Sequence, residues 1–137
     1  MKAANTYVLA KPKTGIAVPA RDAIPTDLLI GDKWIEGSGE RIPVHNPANG
    51  EVIATISNAS VQDGMAAIDA AEKAAPGWAA TPARQRAEIL RKCYDKMVAN
   101  ADWLAYLISL EMGKALPDSK GEVLYAAEFF RWYSEET

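Results

Sequence analysis

The feature that most constrains this chain is a single change of hydrophobic period near Ser60. Before it, apolar residues alternate with polar ones, as they do on half-buried strands. After it, they recur every three or four residues, as they do on amphipathic helices. Leu28-Leu29-Ile30 and Trp34-Ile35 flank Gly31-Asp32-Lys33, which suits a tight turn or bulge. Ile42 and Val44 alternate with polar neighbours, as do Val52, Ala54 and Ile56. Between these two runs lies Asn46-Pro47-Ala48-Asn49-Gly50. Proline presets φ there and the closing glycine accepts positive φ, so the stretch reads as a turn. Residues 28–56 therefore read as a short antiparallel meander.

The helical part carries its own punctuation. Ser60 with Asp63 approximates a capping box, and Val61, Met65, Ile68, Ala71 and Ala75 share one face until Pro76-Gly77, read as the end of that helix. Thr81-Pro82 reads as the next start, with Thr81 as N-cap. Ala87, Leu90, Tyr94, Met97 and Ala101 form its stripe. A third helix is expected from about Asp102 to Glu111, with Leu104, Leu107 and Ile108 inward and Gly113 as C-terminal cap. Pro117 and Asp118 read as a break. Ser119 with Glu122 then reads as a capping box, ahead of a stripe of Val123, Ala126, Ala127, Phe130 and Tyr133. Residues 1–27, punctuated by Pro12, Pro19 and Pro25, read as an extended arm. The fold class is α+β, a meander followed by four helices. The strand–helix alternation of a complete parallel-sheet nucleotide fold is missing. With no closing turn or strand after Glu135-Glu136-Thr137, the sequence reads as cut off.

Composition narrows the function classes. A formal net charge of −3 over 137 residues, with the two signs interleaved, gives no field to draw nucleic acid or an anionic membrane. No apolar run approaches the roughly 18–20 residues of a membrane span. The start has no continuous apolar core of a secretory signal, and the cytoplasm is the expected location. One cysteine and one histidine cannot build a metal cluster. Cys93 falls mid-helix beside an apolar stripe, about three turns from the helix N-terminus that would best stabilise a thiolate, and reads as packing. His45 lacks a nearby nucleophile and reads as structural. Gly37-Ser38-Gly39 has no helix start behind it and is no phosphate loop. The aromatic group Tyr125, Phe129, Phe130, Trp132 and Tyr133 covers too many helix faces for one core stripe. Phe130 and Tyr133 are expected in the core, the others against neighbouring structure or a shared pocket. The residues alone thus give an α+β chain and no reaction.

Six stretches in order carry a resemblance, and they span most of residues 28–137. They are Ile30-Gly31-Asp32-Lys33-Trp34, then Val44-His45-Asn46-Pro47-Ala48-Asn49-Gly50-Glu51-Val52-Ile53, then Ala67-Ile68-Asp69-Ala70-Ala71-Glu72-Lys73-Ala74 with Trp78 after it. Pro82-Ala83-Arg84-Gln85-Arg86-Ala87-Glu88-Ile89-Leu90, Glu111-Met112-Gly113-Lys114-Ala115-Leu116 and Gly121-Glu122-Val123-Leu124-Tyr125-Ala126-Ala127-Glu128-Phe129-Phe130 follow. Together they resemble the N-terminal segment of the aldehyde dehydrogenase superfamily, closest in flavour to succinate-semialdehyde dehydrogenases. The resemblance implies oxidation of an aldehyde to a carboxylate with NAD or NADP. Residues 28–137 would then be the first, incomplete part of a Rossmann-like cofactor-binding domain.

In that family the catalytic cysteine, the glutamate, the oxyanion asparagine and the glycine motif belong to later segments. The resemblance therefore assigns no catalytic or cofactor-binding residue here, and Cys93 matches no catalytic motif. It does imply that Tyr125 and Phe129 border the substrate tunnel. The expected partners are the remainder of a dehydrogenase or a homo-oligomer covering the apolar helix faces. Neither turnover nor tight NAD binding is expected of these residues alone. A non-catalytic helical binding or regulatory module derived from such an enzyme is the alternative, and an unstable inactive remnant is a third.

Overall fold

A computed structural model describes residues 24–137, in the order β1 (Leu28–Ile30), β2 (Lys33–Ile35), β3 (Ile42–His45), β4 (Val52–Ile56), α1 (Val61–Ala80), α2 (Ala83–Ala99), α3 (Ala101–Met112) and α4 (Leu116–Glu135). The α+β expectation holds. The arm read over residues 1–27 lies outside the described residues except for 24–27. The described residues fall into two compact units, 24–80 and 81–137.

In the first unit the strands form two separate antiparallel pairs rather than one meander. Strands β1 and β2 join through Gly31-Asp32, with Leu28 opposite Ile35 and Ile30 opposite Lys33. Gly31 takes φ +64° and Asp32 does not go positive, the pattern of a type II′ turn, whose first central position suits glycine. The β3–β4 turn is the one read from the sequence. The Asn46 carbonyl accepts from the Asn49 and Gly50 amides, the Asn46 side chain accepts from the Ala48 amide, and Gly50 sits at φ +73°. The His45 Nδ1–H donates to the Gly50 carbonyl at 3.2 Å, across the same turn. The meander breaks between β2 and β3 because the chain there is drawn to the segment after β4 instead. The Gly39 amide donates to the Asn58 carbonyl at 3.1 Å. A Cβ on Gly37 would lie 2.2 Å from that carbonyl oxygen, so only glycine permits this approach.

The capping box of α1 is present in full. The Asp63 amide donates to the Ser60 hydroxyl and the Ser60 amide to the Asp63 carboxylate. Pro76 does not end the helix, which runs on to Ala80. Proline removes one backbone bond, and on a helix with no buried residue water can satisfy the freed carbonyl, so the helix continues through it.

In the second unit α4 packs against both α2 and α3. Ala101, Ala105 and Val123 form the centre, with Leu104, Ile108 and Leu116 against them. The α2 stripe is half-buried as read, and Cys93 is half-buried at its edge. Three readings are corrected here. Pro82, not Thr81, is the cap residue of α2. It is extended at ψ 139°, makes no side-chain cap bond, and offers its carbonyl to the Gln85 and Arg86 amides. Pro117 does not interrupt the chain, since α4 starts at Leu116 and a proline in the first turn lacks an amide that would have no partner anyway. Ser119 is therefore inside the helix rather than capping it. It is fully buried, its hydroxyl 2.9 Å from that of Ser109 across the α3–α4 contact. Gly113 closes α3 in the left-handed conformation, φ +73°, as expected.

Candidate functional site

The buried line of α4 runs through Ser119, Val123 and Ala127. By the helical period, Tyr125 and Phe129 stand one turn apart on another side. They meet edge to face, ring centroids 5.1 Å apart at 87°, the arrangement favoured by the aromatic quadrupole. Tyr125 is 69% exposed and Phe129 49%. With Glu128, Arg131, Trp132 and Tyr133 they line an open depression along the last turns of the helix. The structure thus brings Tyr125 and Phe129, to which the resemblance pointed, together with Trp132 and Tyr133 of the same aromatic group.

Two residues expected in the core are not there. Phe130 and Tyr133 remain exposed, because the buried stripe continues through half-buried Ser134 instead. Trp103 is buried beside Ala101 and Ala105 on α3. The pattern of apolar residues alone could not separate these positions. Small residues at Ser119, Ala127 and Ser134, where helices approach closely, were the better signal of burial.

Arg131 is the cation of this depression, and its charge is spoken for. Its Nε donates to Glu128 at 2.6 Å and an Nη to Glu135 at 2.9 Å. The Glu128 hydrogen bond, then the charges of Glu128 and Glu135, hold its pKa above the ordinary arginine value. The surface is therefore aromatic with a compensated rim, fit to guide an uncharged or apolar group rather than to capture an anion. Its lining carboxylate, Glu128, is paired with Arg131.

Elsewhere the polar clusters are structural. The Asp63 carboxylate accepts from the amides and hydroxyls of both Ser60 and Ser38 at 2.7 to 3.1 Å. Those bonds, led by the Ser60 amide, hold its pKa well below the usual carboxylate range. Arg41 donates to Asp27, Ser57, Thr26 and the Thr55 carbonyl. Among the described residues no group of three His, Cys, Asp or Glu could hold a metal, and no helix is long and apolar enough to cross a membrane.

Known proteins resemble this chain in sequence and in fold. The profile of the aldehyde dehydrogenase family matches residues 34–137. The NADP(+) succinate-semialdehyde dehydrogenase GabD of Escherichia coli (strain K12) is 44% identical over 109 residues, covering 79% of this chain and 23% of its own length. A glutarate-semialdehyde dehydrogenase of Pseudomonas aeruginosa is 43% identical over 104 residues, 75% of this chain and 22% of its own. Among solved structures, an aldehyde dehydrogenase from Brucella melitensis biovar abortus 2308 superposes with a TM-score of 0.83 at 44% identity, over 88% of this chain and 25% of that one. PnpE in complex with nicotinamide adenine dinucleotide gives 0.77 at 32% identity, over 82% and 23%. The chain spans about a quarter of the length of these relatives.

Proposed function

The chain belongs to the aldehyde dehydrogenase family, and on that premise we propose that it serves NAD- or NADP-dependent oxidation of a semialdehyde, succinate semialdehyde first, to the dicarboxylate. The match over residues 34–137 carries this reading, together with two relatives named for semialdehydes. In the balanced reaction the aldehyde, water and the oxidised nicotinamide give the carboxylate, the reduced nicotinamide and two protons. Residues 81–137 contribute an aromatic wall to the aldehyde's route, formed by Tyr125 and Phe129. Flat apolar rings suit the methylene chain of such a substrate. The distal carboxylate needs a cation from elsewhere, because Arg131 is already paired. The thiolate, the water-activating carboxylate and the cofactor cradle also lie outside these residues, so 137 residues alone neither turn over nor hold the cofactor tightly. The working assembly is cytoplasmic, with its apolar helix faces covered by further dehydrogenase structure or by a second copy.

The wall is tested by exchanging residues 34–137 into the Escherichia coli enzyme and measuring succinate semialdehyde oxidation. Tyr125→Ala and Phe129→Ala should each lower kcat/KM by about tenfold, the size of one lost apolar contact of about 1.4 kcal/mol, with the far-ultraviolet circular dichroism unchanged. Unaltered kcat/KM in both variants would remove the pair from the route.

A further inference from the structure

We draw no further inference here: the strongest candidate, the exposed apolar stripe of α1 formed by Val61, Met65, Ile68 and Trp78, carries nothing because nothing in the structure shows what covers it.

Discussion

At the scale of single residues, the strand-rich unit is held by two polar knots rather than by a large core. Ile53 and Ala54 are its buried apolar residues among those described, alongside buried Thr26 and Ser57. Asp63 ties the Gly37–Gly39 segment to the start of α1 by accepting from both serines. Its folded pKa lies below the 3.8 of an unperturbed aspartate. The stabilisation is therefore complete above about pH 4 and is lost as the pH falls further toward the folded value. Asp63→Asn should be less stable than the parent at pH 7, and the gap should narrow on acidification to pH 3. Urea midpoints at the two pH values check this, and a gap that widens in acid would refute it.

Arg41 has the same character. Its side chain is 20% exposed and bridges residues 26–27 to the end of β4. Arg41→Met would leave Ser57 and Asp27 with fewer partners and should cost about 1–3 kcal/mol, read from the urea midpoint at neutral pH. A cost below about 0.5 kcal/mol would mean these bonds merely replace bonds to water.

At the scale of elements, the ends of helices were less legible than their existence. The period of three and four residues located all four helices, and Gly113 marked the end of α3. Both proline signals misled for one reason. Proline reports a missing amide, and whether that matters depends on where the neighbouring carbonyls can turn. At Pro117 the amide is in the first turn and has no partner to lose; at Pro76 the helix is exposed all round. Pro76→Ala should then lengthen the life of α1 without altering its fold and stabilise the protein by up to about 3 kcal/mol. Thermal unfolding measures it, and an unchanged or lower midpoint would show that the proline is accommodated at no cost.

Ser119 escaped sequence reading because a serine followed three residues later by glutamate looks like a cap, while its burial is decided by α3 across the interface. Fully buried with its hydroxyl against Ser109, it has no room for a larger side chain. Ser119→Leu should separate α3 from α4, with a loss of about 1–3 kcal/mol, whereas Ser119→Ala should cost about 1 kcal/mol. Equal effects of the two would mean that the contact is loose.

At the scale of the whole molecule, the surface is more revealing than the interior. Val61 is 80% exposed on α1, and Trp132 is 56% exposed beside Tyr125 and Phe129 on α4. The aromatic cluster was legible in the sequence, since its residue types and spacing are visible in one dimension, whereas a tunnel role for Tyr125 and Phe129 rests on the resemblance alone. Phe130 and Tyr133 were misplaced, since which aromatic is covered depends on the rotation of each helix against its neighbour. The family was legible from six short stretches in order, whereas the chemistry of the family was not legible from any residue of this chain. The chain belongs to the aldehyde dehydrogenase family, and the role we propose for its residues is to shape a route for substrate rather than to perform a step of the reaction.

The most direct test is nicotinamide reduction by the purified chain with succinate semialdehyde and either NAD or NADP, run on material whose intact mass is 14.8 kDa. The account predicts no increase in absorbance from the reduced nicotinamide with either cofactor. Sustained turnover by protein of that mass would contradict it, because the thiol, carboxylate and cofactor cradle would then have to be found within these residues.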